Sequence, residues 1–367
     1  MGAEQAGESV RSVNGANMSE VSHHSITIND VARLAGVSKS AVSYAMNGQR
    51  GVSAETREKV LRAAEELGWK PKSAAGIPLE SRSRSIGVVL QVYDIDRVGG
   101  ESFAVSNFIG LSRVLAPAGY SLDIRVVTGG VAQACAVHEE WMREHRVDAH
   151  MVTSVEMGDP RMALFRSHPE VPVLFLSQRN VTRGLPTLYS SDADGARRIV
   201  RYLHGLGHRR ISRIAGPERY VHTLVRDRAA QDECMALGIR YDCLHGDYSA
   251  ESGEMLFDTL MGFGDPPTAI ICDNDVMATA VLSAAVSRGV SVPDELSLVS
   301  WDDSAACRMS DPPLTALSRD VEEIGKLAGR LLLDLIDGGA VDSISEPPYA
   351  LAERGSTASP APERASV

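Results

Sequence analysis

No apolar run in the 367 residues approaches the roughly 20 that a membrane-spanning helix needs. Five cysteines (Cys135, Cys234, Cys243, Cys272 and Cys307) are scattered without a CxxC pair. That spacing argues against a disulfide framework or a cysteine-rich zinc site and reads as reduced thiols. The chain also lacks GxSxG, P-loop, GxGxxG and HExxH motifs. Asp302 and Asp303 are adjacent, and neighbouring residues on a strand point oppositely, so they do not make a catalytic carboxylate pair. The polar N-terminus has no apolar h-region, so no secretory signal is expected. These absences disfavour an enzyme, a membrane protein and an exported binding protein. No cofactor and no metal are expected. Residues 1–24 and 355–367 are rich in Ser, Ala, Gly and Glu and are expected to be disordered. The tail carries no leucine heptad, which argues against a C-terminal tetramerising helix.

What the chain does have begins at Ile26: ITINDVARLAGVSKSAVSYAMNGQRGVSAETREKVLRAAEELGWKP. Thr27 with Asp30 has the form of a capping box opening a helix to Leu34, with Val31, Leu34 and Ala35 on one apolar face. Gly36 suits the turn. Ser38 caps a second helix, Lys39 to Met46, with Ala41, Val42, Ala45 and Met46 inward. Its outer face is Lys39, Ser40, Ser43, Tyr44 and Asn47, a set of donors, acceptors and one aromatic suited to base edges and phosphates. Ser53 caps a third helix, Ala54 to Leu67, ending at Gly68. A small bundle with a polar face is the bland alternative. Charge argues against it. From Ser25 to Arg84 ten basic residues face six acidic ones, giving +4. The whole chain is −11, so the remainder carries −15. A basic head on an acidic body is expected where only the head meets phosphates.

The head resembles the lactose-repressor (LacI/GalR) family of bacterial transcription regulators. The match covers TIxDVAxxAGVS, the serine- and valine-bearing second helix, the asparagine after it, VSxxTRxKV and ELGWxP. The resemblance implies that the second helix enters the major groove with Lys39, Ser40, Ser43, Tyr44 and Asn47 at contacting positions, and that Thr27 and Ser38 touch backbone phosphates. Tyr44 stands where many relatives carry arginine, so a bidentate guanine contact is lost there and base preference should differ. The family pattern after the head is close to PNxxARSL, a hinge helix whose leucine wedges into the minor groove. Here the chain reads PKSAAGIPLE. Lys72 replaces asparagine, Gly76 replaces arginine, and Pro78 falls on the leucine position, leaving Leu79 as the candidate wedge. Gly76 and Pro78 both oppose a helix, so a flexible linker is the competing reading.

From Ile86 strand-like and helix-like runs alternate. Ile86–Val92, Ser121–Val127, Ala149–Thr153, Val171–Ser177, Ile211–Ala215, Thr268–Cys272 and Leu296–Ser300 read as strands. Ser102–Leu115, Gln133–His145, Ala193–Leu206, Arg226–Leu237 and Val276–Arg288 read as helices. Alternation of this kind implies parallel sheets with right-handed crossovers, here in two similar halves. The family resemblance extends through SSDADGARRIVRYLHGLGHRRISRIAGP, CDNDVMATAV, LSLVSWDDS and PPLTALSRDVEEIG. It implies an α/β body of two Rossmann-like lobes, like periplasmic sugar-binding proteins, with a ligand at the strand ends. The expected division is 25–71 for the helix-turn-helix domain, 72–85 for the hinge and 86–354 for the effector-binding and dimerising body.

The resemblance aligns Arg228 with the family's ligand arginine and Asp275 with its ligand aspartate. Arg179, Asp192, Tyr248, Trp301 and Asp302 follow strands at rim positions, and Phe103 opens the first helix of the body. Such groups supply the acceptors, planar donors and aromatic face that a polyol requires. For Asp275 and Asp302 the alternative is a helix cap or turn. His208 is read as structural. The stretch VLQVYDIDRVGGESF departs from the relatives' Pro-Asp-x-x-Asn-Pro-Phe-Phe, so ligand identity does not carry over. The function expected is that of a homodimeric, sequence-specific repressor in the cytoplasm, at the nucleoid. It would bind an inverted-repeat operator in double-stranded DNA under control of a small effector such as a sugar. The alternatives are a ligand-independent DNA binder and a regulator using a nucleobase-type corepressor.

The hinge sequence predicts weaker DNA bending than in relatives. FRET or gel phasing on an operator complex checks this, and a bend equal to theirs contradicts it.

Overall fold

The computed structural model describes residues 28–46, 52–67, 82–92 and 102–362, in two units, Met1–Pro71 and Lys72–Val367. Thr27, Asn47, Lys72 and Leu79 lie outside the described residues, as does the whole PKSAAGIPLE stretch.

The first unit holds α1 (Ile28–Ala35), α2 (Lys39–Met46) and α3 (Ala54–Glu66). Val31, Ala32, Val42, Ala45, Val60, Ala63 and Ala64 close its core. Gly36 takes φ +66°, and Val37 N–H returns to the Ala32 carbonyl at 3.0 Å, which ends α1 sharply. Ser38 Oγ accepts from Ala41 N–H at 3.2 Å and Ser53 Oγ from Thr56 N–H at 3.1 Å, so both serines cap as their positions demand.

The second unit contains two six-stranded sheets. The first runs through β1 (Ser85–Gln91), β2 (Ser121–Val127), β3 (Ala149–Val152), β4 (Val173–Ser177), β5 (Thr187–Tyr189) and β11 (Ile344–Ser345), in the order β11-β5-β4-β3-β1-β2. The second is β6 (Arg210–Ala215), β7 (Arg240–His245), β8 (Ala269–Cys272), β9 (Ser297–Ser300), β10 (Thr315–Ser318) and β12 (Ala350–Ala352), ordered β12-β10-β9-β8-β6-β7. All pairings are parallel except β10 with β12. The buried runs AHMV, AIIC and SLVS are continuous because helices cover both faces.

The helices of this unit are α4 (Ser102–Leu115), α5 (Gly130–Glu144), α6 (Pro160–Ser167), α7 (Arg179–Thr182), α8 (Asp192–Leu206), α9 (Val221–Ala236), α10 (Ala250–Met261), α11 (Asp275–Ser287), α12 (Ala305–Met309) and α13 (Val321–Ile336). The chain passes between lobes after β5, after β10 and after β11. After the second crossing, α13 returns to the first lobe and lies against α4. Its closeness depends on Gly110 and Gly325. A Cβ on Gly325 would sit 2.1 Å from the Asn107 carbonyl oxygen, and one on Gly110 2.0 Å from that of Glu322. This packing fixes α4, whose first turns line the space between the lobes.

The tail departs from expectation. Residues 355–362 are ordered against the second sheet. Ser356 is fully buried, donates Oγ–H to the Leu298 carbonyl at 2.6 Å and accepts from Thr315 N–H at 2.8 Å. Small polar residues that suggest disorder by composition fit here because they satisfy backbone groups at the sheet. His208 has the structural setting read for it: Thr268 Oγ1 at 2.8 Å, Ser297 Oγ at 3.0 Å and the Ala358 carbonyl at 3.0 Å.

In the first lobe, His138 on α5 and His150 on β3 meet Nδ1 to Nδ1 at 3.0 Å, packed on Trp141 and Phe165. Burial pushes His150 down to about 3, and burial with the His150 ring beside it also lowers His138. Both are neutral in the fold, whereas an unfolded histidine binds a proton near pH 6.5. Stability is therefore full above pH 6.5 and falls as the pH drops toward 3, by about 1.4 kcal/mol per pH unit for each such histidine. Urea midpoints for the parent and His150→Gln, measured between pH 7 and 4.5, should diverge in slope, with the variant flatter. Equal slopes contradict the assignment.

Candidate functional site

A cleft of about 670 Å³ lies between the lobes, at the carboxyl ends of both sheets, in the size range of small-molecule sites. The first lobe contributes Gln91, Thr153, Ser177, Gln178 and Ser190 from strand ends, and Phe103 and Asn107 from α4. The second contributes Asp247 and Tyr248 after β7, Asp273 to Asp275 after β8, and Asp302 after β9. Tyr220, His222 and Arg226 approach from the start of α9, and Arg319 and Glu346 from the crossings.

A buried ion network forms the floor. Arg226 Nε reaches Asp192 Oδ1 at 2.9 Å, and its Nη1 lies 3.7 Å from Asp273. Arg213 grips Asp273 with both ends of its fork, at 2.7 and 2.6 Å, and Gly216 N–H donates to the same carboxylate at 3.0 Å. Tyr349 O–H donates to Asp192 Oδ1 at 3.2 Å. Arg319 pairs with Glu346 at 2.7 Å and lies 4.7 Å over the rings of both Phe103 and Tyr349. Burial by itself would raise the Asp192 carboxyl, but Arg226, His222 and Arg319 outweigh it and hold the group well below the usual range.

Several polar atoms are left over. Among the described residues, Gln91 Oε1, both side-chain polar atoms of Asn107, Thr153 Oγ1, Ser177 Oγ and Arg319 Nε are buried without a hydrogen-bond partner, and all belong to residues lining the cleft. Buried polar groups are usually satisfied, so the grouping of these atoms around one cleft marks its walls as polar. Among the described residues, Asp275 and Asp302 show no ion pair. Burial pushes Asp302 up to about 6, against the pull of Arg319 and Arg226 and with Asp275 and Asp273 adding to the rise. Tyr220, His222 and Tyr248 stack with interplanar angles of 16° to 22°, forming one aromatic wall. His222 donates to or accepts from Tyr248 O–H at 2.8 Å, and burial lowers it to about 4.

Phe103, Asp192, Tyr248, Asp275 and Asp302 thus come together around the cleft. Three of the expected residues do not. Arg228 faces away from the cleft, is three-quarters exposed and pairs with Asp232 at 2.9 Å. Arg226 takes the inward place, because α9 buries the stripe Thr223, Arg226, Ala230 and Cys234, and residue 228 falls on the opposite side. Arg179 is exposed at the start of α7, and the preceding Gln178 is the cleft residue. Trp301 is 1% exposed and lies beneath the floor, with the Arg226 guanidinium 3.8 Å over its ring and its Nε1–H donating to Tyr349 at 3.3 Å. It holds the floor arginine and does not line the cavity. Sequence reasoning did not pick out Arg226, Arg319, Glu346, Asn107 or Asp273.

On the first unit, Ser38 and Lys39 are exposed at the start of α2, whose backbone also carries Ser40, Ser43 and Tyr44.

Residues 27–72 match the model for bacterial regulatory proteins of the lacI family, and residues 200–357 match a periplasmic binding protein-like domain. The HTH-type transcriptional repressor CytR of Escherichia coli K12 is 31% identical over 327 residues, covering 86% of this chain and 92% of CytR. The chain belongs to the LacI family. It is a DNA-binding transcriptional regulator with a periplasmic-binding-protein-like body. Solved structures agree. The lac repressor dimer bound to operator and the anti-inducer ONPF has 28% identity and a TM-score of 0.68, covering 91% of this chain and 99% of that one. The complex of the transcriptional regulator CelR with cellobiose has 26% identity and a TM-score of 0.67, covering 90% and 99%. These relatives are regulators, and no described helix of this family member is long and apolar enough to cross a membrane.

The arginine assignment predicts unequal costs. Arg226→Ala leaves buried Asp192 without its ion-pair partner and should cost about 3–5 kcal/mol, whereas Arg228→Ala should stay within about 0.5 kcal/mol. Urea unfolding of both variants decides it, and similar losses would overturn the assignment.

Proposed function

We propose that this LacI-family regulator is a homodimeric repressor whose effector is a neutral carbohydrate bound in the interlobe cleft. The observation that carries the effector class is the charge of the walls. Among the described residues, Asp192, Asp247, Glu251, Asp273, Asp275, Asp302 and Glu346 line the cavity against only Arg226 and Arg319. Both guanidinium groups are already paired with buried carboxylates. A phosphate or carboxylate entering here meets net negative charge from the described lining residues, so anionic ligands are disfavoured by repulsion. A neutral polyol donates its hydroxyls to Asp275 and Asp302, exchanges hydrogen bonds with Asn107 and Gln91, and lays its C–H face on the Tyr220–His222–Tyr248 wall. Asp275 stands at the first position of α11, so the bond it makes to a ligand is held by a rigid element.

The cellobiose bound by CelR is a neutral sugar, in keeping with this reading. The dimeric, operator-bound form of the lac repressor supports a two-fold protein on an inverted repeat. In this reading Ser38, Lys39, Ser40, Ser43 and Tyr44 meet the DNA together with Thr27, Asn47, Lys72 and Leu79. The protein acts at the nucleoid in the cytoplasm without catalysis. Effector binding changes DNA affinity only through differential affinity for two states of the body, typically worth about 1–3 kcal/mol.

The test is a thermal-shift panel of neutral mono- and disaccharides, uronates, sugar phosphates and nucleobases. A neutral sugar at a hundred times its Kd should stabilise the protein by about 2.7 kcal/mol. Asp275→Ala should lose that response while keeping operator binding, and Lys39→Ala should do the reverse. A response confined to anionic sugars or nucleobases would refute the effector class. Loss of DNA binding in folded Asp275→Ala would refute the division of labour.

A further inference from the structure

We propose that Asp227, Cys243 and His245 form a binding site for one divalent transition-metal ion, zinc foremost, on the second lobe outside the cleft. Cys243 and His245 alternate on β7, the edge strand of its sheet, and so present their side chains on one face. Asp227 projects from α9, which covers that face. Cys243 Sγ lies 3.1 Å from Asp227 Oδ1, and His245 Nε2 lies 2.9 Å from Asp227 Oδ2. All three donor atoms fall within 4.8 Å of one another. Among the described residues, no other group of three potential ligands meets that criterion.

One sulfur, one imidazole nitrogen and one carboxylate oxygen suit a borderline-soft ion and disfavour calcium or magnesium, which take oxygen ligands. Tetrahedral zinc, with bonds of about 2.0–2.3 Å, sets its donors about 3.3–3.6 Å apart. Outward movement of a few tenths of an ångström brings the two Asp227 contacts to that spacing, and the third pair of donors lies within 4.8 Å. The His245 and Asp227 side chains are 29% and 22% exposed, so the ion has a path from solvent and water completes its fourth position.

The local charge supports the ion. Arg213 contacts Asp227 and Asp273 and Arg226 contacts Asp192 and Asp273, so two guanidinium groups stand against three carboxylates. When the ion binds, the Cys243 thiol loses its proton to solvent and becomes a thiolate ligand. Arg213 and the divalent ion then balance Asp227, Asp273 and the thiolate. Arg213 also ties this site to the cleft, because the Asp273 that it grips lines the cavity. An ion on Asp227 competes with Arg213 for that carboxylate.

Cobalt(II) titration of the untagged full chain under reducing conditions tests the site. The expected result is one ion per chain, with a near-ultraviolet thiolate-to-cobalt band and visible tetrahedral bands, all displaced by zinc. Cys243→Ser should abolish the thiolate band and weaken binding at least tenfold. His245→Gln, at a partly exposed side chain, should weaken it at least tenfold with the circular dichroism unchanged. Cys135→Ser should have no effect. Absence of a thiolate band in the parent protein, or its persistence in folded Cys243→Ser, would overturn the site and leave the three residues as a hydrogen-bonded support for Arg213. The proposal stands apart from the effector reading, since the titration contains no sugar.

Discussion

The interlobe cleft depends on a set of charges that water cannot stabilise. Arg213, Arg226, Asp192 and Asp273 are all nearly inaccessible to solvent, and each is kept ionic by another. Removing a charge from water is expensive, and truncating one member of such a set costs more than forming the set gains. The network therefore fixes the positions of the strand ends more than it stabilises the fold. It joins β6, β8, the start of α8 and α9 at one point, beside the first interlobe crossing. Trp301 under Arg226, and Phe103 with Tyr349 around Arg319, hold the guanidinium planes in register.

On the proposed reading, this arrangement is why a cleft containing arginine would favour a neutral ligand. Among the described residues, the lining arginines are paired with buried carboxylates, and the walls carry surplus carboxylate. The surplus also suits a two-state body. Ligand hydroxyls that satisfy both walls at once stabilise the arrangement in which the walls are close, and the crossings at residues 190–191, 319–320 and 346–349 are where such a movement would be carried.

Much of this was legible in the sequence. Most of the head was legible because its signals are local, although Leu34, read with Val31 and Ala35 on the apolar face, is 46% exposed. Gly36 has no steric alternative at a positive φ, Ser38 and Ser53 cap as short polar side chains do, and the apolar spacing is complete within one short segment. The α/β alternation of the body was equally plain, since buried parallel strands are continuous apolar runs. The misses come from long-range partners. The family resemblance aligned Arg228 with the ligand position, and a helix read as starting at Arg226, five residues late, gave no view of the stripe Thr223–Arg226–Ala230–Cys234 on which Arg226 sits. Trp301 was placed on the rim because an aromatic after a strand reads as a ledge, and only the fold puts Arg226 over it. Arg319 and Glu346 lie 27 residues apart in sequence and pair only because two crossings run side by side. The ordered tail was missed because composition records no partner: Ser356 has value only where Leu298 and Thr315 present open backbone groups.

The most direct test of the central claim, that this chain is a two-fold reader of specific DNA, is selection of bound sequences from a randomised duplex pool. The full chain should be used at fixed, near-physiological salt, since affinity without a stated salt concentration has no meaning. The account predicts enrichment of a single inverted repeat. Retention without enrichment, decaying with added salt alike for all sequences, would contradict it.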